Sequence, residues 1–136
     1  MATLTTFAQP QRFERIHALK VAHITEKLNL TPEQAERFWP VYNQYEKELW
    51  EIRKSYRQQM KNAPDDPEAA REFIDNDLGY QEAILNLRKK YKTEFLNVIS
   101  PQQLADMVQA ERDFKKMLIQ ELNDRRGGSQ RRGGLR

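Results

Sequence analysis

The chain has 136 residues, of which 38% are hydrophobic and 32% are charged, and its mean hydropathy is −0.92. This composition predicts one domain-sized unit with a thin core and a strongly solvated surface. The absence of cysteine excludes thiol catalysis, disulfides and thiolate metal sites. Only five glycines and six prolines occur, too few turn residues for a many-stranded β protein, so the chain is predicted to be all-α.

The net charge of +3 arises at the C-terminal end of the chain. The final segment, RRGGSQRRGGLR, contains five arginines and no acidic residue, and the remainder carries 18 basic against 20 acidic residues. This segment also holds four of the five glycines and shows no apolar periodicity. Residues 125–136 are therefore predicted to be a disordered basic tail.

Apolar residues recur at helical spacing in four segments, which predicts helices over residues 10–28, 31–62, 67–98 and 101–124. A short turn, NAPDDP, separates the two longest segments. These central helices are therefore expected to pack as an antiparallel pair, within an elongated four-helix protomer. Pro40 lies inside the second segment and is expected to kink it, because proline lacks the backbone donor and clashes with the preceding turn.

The N-terminal residues 1–9 include TLTTFAQ, which is typical of the end of a secretory signal peptide. We interpret them as a residual signal-peptide end, followed by a helical domain over residues 10–124, and expect a periplasmic location. An ordinary frayed N-terminus is the alternative. No apolar run approaches the roughly 18 residues of a membrane span, so no membrane insertion is expected.

A short motif occurs twice, each time at the predicted start of a helix: LTPEQ at residues 30–34 and ISPQQ at residues 99–103. In both copies a hydroxyl residue precedes the helix, proline takes the first helical position and glutamine the third, which is the pattern of a capping box. The residues that form the two caps are Leu30, Thr31, Pro32, Gln34, Ile99, Ser100, Pro101 and Gln103. Apolar residues follow both copies at matching offsets, which indicates an internal pseudo-repeat.

This pair of LTxxQ-like motifs in a small helical chain resembles the Spy/CpxP group of periplasmic proteins, and LTPEQAERFWPVYNQY resembles the variant common in Bacteroidetes-type envelope proteins. The second copy departs from the pattern at Ile99 and Ser100, but both departures preserve the cap chemistry. The resemblance implies a homodimer that holds unfolded or stress-exposed proteins as an ATP-independent chaperone. Some relatives instead regulate envelope stress or respond to metals, so an adaptor that binds one signalling partner is the alternative.

A chaperone of this kind needs exposed apolar groups set among flexible charges. The candidates for a client or dimer surface are Phe38, Trp39, Tyr42, Trp50, Arg53, Tyr56, Arg57, Met60 and Arg88. The alternative for the apolar members is a place in the core against a partner helix, and for the basic members a solvated face.

No cofactor and no metal site are predicted. Glu14 and His17 form the single Glu-x-x-His pair, and His17 and His23 lie about 120° apart around a helix, so they cannot readily share an ion. The chain contains no Gly-rich phosphate loop, nucleophile elbow or histidine-bearing triad motif, which predicts a protein that is not an enzyme. The Arg-Gly-Gly repeats lack interleaved aromatic residues, so specific nucleic-acid binding is not expected.

Overall fold

The computed structural model describes residues 8–60 and 64–133, and this part of the chain contains helices and no strand. The all-α prediction is therefore confirmed. The helices are α1 (Ala8–Leu28), α2 (Pro32–Gln59), α3 (Pro67–Leu96) and α4 (Pro101–Gly133). Residues 1–7, with most of the expected signal-peptide end, lie outside the described residues, as do residues 61–63 of the NAPDDP turn.

The first LTxxQ-like motif is a complete capping box. The Gln34 backbone N–H donates to the Thr31 hydroxyl at 3.1 Å, and the Thr31 N–H donates to the Gln34 side-chain oxygen at 3.1 Å. Pro32 occupies the first helical position. Such a cap stabilises the helix by about 1 kcal/mol, because two backbone donors that the helix cannot satisfy gain partners. The predicted cap is confirmed, and α2 then continues through Pro40.

The second motif also stands at a helix start, since α4 begins at Pro101. Here the Gln103 side-chain amide donates to the backbone carbonyl of Leu28, at the last residue of α1, over 3.4 Å. The carbonyls of a final helical turn have no partner inside the helix, so this bond satisfies one of them. The glutamine of the second motif thus links the start of α4 to the end of α1.

Aspartate and proline start α3. Asp66 has an extended backbone, and its carboxylate accepts a hydrogen bond from the Ala69 N–H at 3.1 Å. Pro67 follows at the first helical position. This combination satisfies a free backbone donor and places the fixed φ of proline where a helix requires it.

The four helices form two compact units, one containing α1 and α4 and the other containing α2 and α3. In the first unit, Lys20 of α1 lies 4.0 Å from the carboxylate of Glu111 on α4. The ring centroids of His23 and Phe114 are 6.1 Å apart. Among the side chains that the structure describes, the buried apolar ones of this unit are Ile24, Leu28, Met107, Ala110 and Phe114.

Aromatic side chains dominate the packing of α2 against α3. Phe38 contacts Phe95 with ring centroids 5.6 Å apart, Tyr45 contacts Tyr91 at 5.2 Å, and the Tyr45 ring also meets Phe95 edge-on at 5.8 Å. Residue numbers rise along α2 as they fall along α3, which is the order that an antiparallel pair gives. The buried apolar residues of this unit are Phe38, Tyr42, Tyr45, Leu49, Leu87, Tyr91, Phe95 and Ile99.

The C-terminal helix differs from the prediction. We predicted that it ends near Asp124 and that residues 125–136 are disordered, whereas α4 continues to Gly133. The Arg125 guanidinium donates to the Glu121 carboxylate at 2.8 Å, one helical turn away. An ion pair at this spacing favours the helical conformation, whereas glycine opposes it. Residues 134–136 lie outside the described residues.

Gly79, in the middle of α3, has open space where a side chain would begin. No heavy atom lies within 4 Å of an ideal Cβ at this position, so no close helix contact requires glycine there. Its φ is not positive, so an L-residue fits the backbone. Glycine costs about 1 kcal/mol relative to alanine inside a helix, because it loses more backbone entropy on folding.

We therefore expect Gly79→Ala to raise the free energy of unfolding by about 0.5–1 kcal/mol. Urea denaturation followed by circular dichroism measures this difference. A loss of stability would contradict it, since loss would require a contact that the open space excludes.

Candidate functional site

The outward side of α3 carries a continuous stripe of apolar and basic side chains, which we call the outer stripe. Its members are Ile74, Leu78, Leu85 and Leu96 together with Arg71, Arg88, Lys89 and Lys92, and all are exposed. At about 100° per residue they fall within an arc of about 100° around the helix. Between residues 71 and 96, Gln81 is the one further residue in this arc, so the arc contains no acidic side chain.

The apolar residues of α3 consequently occupy two separate faces. Leu87, Tyr91 and Phe95 are buried, whereas Leu78 has 58% of its surface exposed and Ile74 has 56%. Ile74, Leu78 and Leu85 therefore lie outside the face of α3 that packs against α2. Their spacing of four and seven residues repeats the same helix position, about 120° from the buried face.

Two of the predicted surface residues belong to the core instead. Phe38 and Tyr42 have no exposed surface, and their rings stack on each other with centroids 5.6 Å apart. Trp39 is half-buried beside them, edge-on to Phe38 at 4.8 Å. A helical apolar stripe buries itself first against its partner helix, so Phe38 and Tyr42 are not available in this structure to a client or to a second chain.

The remaining predicted residues lie on more accessible parts of the α2–α3 unit. Trp50 is 37% exposed, and the Lys54 ammonium lies 5.0 Å from its ring centroid in a cation–π contact. Arg53, Arg57 and Arg88 are exposed, and Arg88 belongs to the outer stripe. Met60 is half-buried, and its backbone N–H ends α2 by donating to the Tyr56 carbonyl at 2.9 Å.

A groove follows the seam between α2 and α3, on the side of α3 away from the outer stripe. We call it the α2–α3 groove; it has a volume of about 650 Å³. Residues at intervals of three or four along each helix line it, so it runs parallel to the helices. Its lining residues are Glu48, Glu51, Ile52, Ser55, Tyr56, Gln59, Asp75, Asn76, Gly79, Tyr80, Ala83, Leu87 and Lys90.

A pair of stacked tyrosines lies in the wall of the groove. The sequence predicts Tyr56 as a candidate surface residue but does not predict its pairing with Tyr80. The rings of Tyr56 and Tyr80 stack with centroids 3.9 Å apart and an angle of 18° between their planes. The Tyr56 hydroxyl donates to Asp77 Oδ1 at 2.8 Å, and Gln81 donates to Asp77 Oδ2 at 3.0 Å. The hydrogen bond to Asp77 also raises the pKa of Tyr56. Both rings therefore have fixed positions, which the pairing of α2 with α3 provides.

Glu48, Lys90 and Tyr91 form a polar network between the two helices. The hydrogen bond from Tyr91 lowers the pKa of Glu48, and the positive charge of Lys90, whose nitrogen is 3.7 Å from the carboxylate, adds to this effect. Burial raises the pKa of Tyr91 above its ordinary value of 10.0, and the hydrogen bond to Glu48 raises it further. The folded protein thus favours ionised Glu48 beside neutral Tyr91.

This network predicts how stability depends on pH. The lowered pKa of Glu48 contributes stability above its unfolded value of about 4.5, which is lost as the pH falls below that value. The raised pKa of Tyr91 contributes stability below about pH 10, which is lost as the pH rises further. We expect Tyr91→Phe to lose about 1 kcal/mol at pH 7 and to show a weaker decline between pH 8 and pH 11 than the parent protein. Urea midpoints at these pH values measure both effects.

The matched control is Tyr80→Phe, which removes a hydroxyl in the same unit and keeps the network. This variant should retain the alkaline decline of the parent. An equally steep decline in the Tyr91→Phe protein would contradict the assignment to Tyr91.

Residues 8–60 and 64–133 contain neither a metal-binding cluster nor a membrane-spanning helix. No group of three or more histidine, aspartate or glutamate side chains lies close enough together there to hold a metal ion. None of the helices in this part of the chain combines the length and apolar character that crossing a membrane requires.

Comparison with known proteins returns no match, since no family model, curated protein or solved structure matches the chain. The likeness to the Spy/CpxP group therefore rests on the two LTxxQ-like motifs and stays a prediction.

Proposed function

We propose that the chain is an ATP-independent holdase of the Spy/CpxP type that binds unfolded or partly folded proteins in the periplasm. The outer stripe of α3 is the observation that carries this proposal. Its four aliphatic residues, of which Leu78 is 58% exposed, give apolar contact area to the exposed apolar side chains of a client. Its four basic residues attract acidic segments over a longer range.

The form of this surface suits weak and varied binding. The stripe extends over residues 71–96, which is about 38 Å at 1.5 Å per residue. It is a convex helix face with long flexible cations, so it can contact many sequences without enclosing any of them. The same surface would also serve the alternative function, an adaptor for one signalling partner.

An aggregation assay tests the holdase function. The purified protein is mixed at stoichiometric ratios with two unrelated unfolding proteins, without nucleotide, and light scattering is recorded. Suppression of aggregation for both clients is the expected result. Failure to protect either client overturns the proposal, and tight binding of one native partner without protection of the clients would favour the adaptor.

We also propose that the holdase is a homodimer, as the resemblance implies. Static light scattering should then give about twice the chain mass of 16.2 kDa. A mass equal to one chain across the working concentration range would refute the dimer, and the outer stripe would have to act within a monomer.

A further inference from the structure

The α2–α3 groove has the chemistry of a binding site for a cationic ligand. Glu48, Glu51 and Asp75 place three carboxylates along it against the single cation of Lys90. Lys90 is already paired with Glu48 at 3.7 Å. Among the described residues no basic side chain lies within 4.0 Å of the carboxylates of Glu51 or Asp75. The groove therefore has an excess of negative charge, with Glu51 on one wall and Asp75 on the other.

The floor and walls add apolar and aromatic surface to this charge. Ile52, Ala83 and Leu87 line the groove, and the stacked pair of Tyr56 and Tyr80 presents aromatic surface within it. A guanidinium plane or an ammonium stem packs well on such rings, since the ring faces attract cations and the stem is aliphatic. The tyrosines need little rearrangement on binding, because Asp77 holds the Tyr56 hydroxyl at 2.8 Å.

The dimensions fit an extended peptide. The lining residues of α2 run from Glu48 to Gln59, which is about 16 Å at 1.5 Å per residue. An extended chain advances about 3.3–3.6 Å per residue, so four or five residues match this length. Small residues, Gly79 and Ala83, leave room on the α3 side. Polar side chains such as Ser55 and Asn76 can hydrogen-bond to peptide amides.

We propose that the α2–α3 groove binds a short, extended peptide segment that carries arginine or lysine beside apolar side chains. The cations pair with Glu51 and Asp75, and the apolar part lies on Ile52, Leu87 and the tyrosine pair. This site is separate from the outer stripe, which lies roughly 150° away around α3. The proposal therefore stands whether or not the chain is a holdase.

Fluorescence anisotropy with a labelled hexapeptide, GRLRAG, tests the site on the full-length protein. A second peptide, GELEAG, has the same apolar residue and the opposite charge. We expect saturable binding of GRLRAG, at least tenfold weaker binding of GELEAG, and a weaker affinity for GRLRAG as salt is raised, because exposed ion pairs are screened.

Two groove variants locate the binding. The double variant Glu51→Gln/Asp75→Asn removes both carboxylate charges and should weaken GRLRAG binding about tenfold, since each is a charge-assisted contact. Gly79→Leu should abolish binding by filling the groove. Leucine is also a better helix former than glycine, and the position is open, so the fold is retained. Gly79→Ala is the matched small substitution and should weaken binding much less than Gly79→Leu.

The control for charge is Glu82→Gln/Asp124→Asn, which changes the net charge equally at exposed positions outside the groove. It should leave the affinity within twofold of the parent protein. The proposal is overturned if GRLRAG does not bind at millimolar concentration, if GELEAG binds equally well, or if the groove variants bind like this control. Amide spectra supply a second readout, because the Gly79 resonance should shift on titration with GRLRAG, and shifts confined to the outer stripe would also refute the site.

Discussion

Phe95→Ala should destabilise the protein by roughly 3–5 kcal/mol, the largest single-residue effect that we expect in this chain. Phe95 is 2% exposed, and its ring meets those of Phe38, Tyr45 and Tyr91 at centroid distances of 5.6, 5.8 and 6.1 Å. Truncation removes contacts with both helices of the unit and leaves a cavity that three other rings cannot readily fill. Urea denaturation followed by circular dichroism measures the loss.

The neighbouring residue offers a matched control. Leu96→Ala removes an apolar side chain from the same turn of α3, but Leu96 is 38% exposed and belongs to the outer stripe. It should cost clearly less than Phe95→Ala, since a smaller and partly exposed side chain loses less buried surface. If Phe95→Ala does not fold, Phe95→Leu provides a smaller change at the same site. Equal losses for Phe95→Ala and Leu96→Ala would contradict the assignment of the two faces of α3.

The double variant Leu78→Glu/Leu85→Glu should abolish most of the proposed holdase activity without unfolding the protein. Both leucines are more than half exposed, so the carboxylate of a glutamate can remain in water at either position. Glutamate also has good helix propensity. Each leucine can contribute about 1 kcal/mol to client binding through partial burial, and two together about tenfold or more in affinity. The new carboxylates also reduce the net positive charge of the outer stripe.

The measurement is the protein concentration that halves client aggregation, which should rise at least roughly tenfold for this variant. The control, Gln58→Glu/Asn86→Glu, adds the same two negative charges at exposed polar positions outside the outer stripe. It should protect clients nearly as well as the parent protein. If the Leu78→Glu/Leu85→Glu protein keeps its helical spectrum and still protects clients as well as the parent protein, the outer stripe does not bind clients.

Both variants depend on which face of α3 is buried and which is exposed. The sequence alone does not distinguish these two faces. Helical spacing identifies positions that share a side of a helix, such as Tyr45 and Leu49, which are both buried along α2. In α3, apolar residues recur in two series, and spacing does not say which series meets α2. Only the contacts with Phe38 and Tyr45 identify the series of Tyr91 and Phe95 as the buried one.

The candidate sites were also predictable only in part from the sequence. Trp50, Arg53, Arg57 and Arg88 are exposed, as a client or dimer surface requires, and their role in such a surface stays a prediction. The groove could not be predicted, because Tyr56 and Tyr80 are 24 positions apart and their stacking requires α2 and α3 in register. The one feature of the sequence that could have indicated a groove is Gly79, whose missing side chain leaves space beside Tyr80.

What the sequence determined by itself is local: the helical class of the chain, the helix starts at Pro32, Pro67 and Pro101, and the caps formed by Thr31 and Asp66. Each of these depends on hydrogen bonds and backbone preferences within about four residues. The tertiary structure decided which helices pair, as in the bond from Gln103 to the carbonyl of Leu28, and which apolar side chains remain exposed. These outcomes depend on burial between segments far apart in the chain, and hydrophobic attraction has no direction that a local pattern could record.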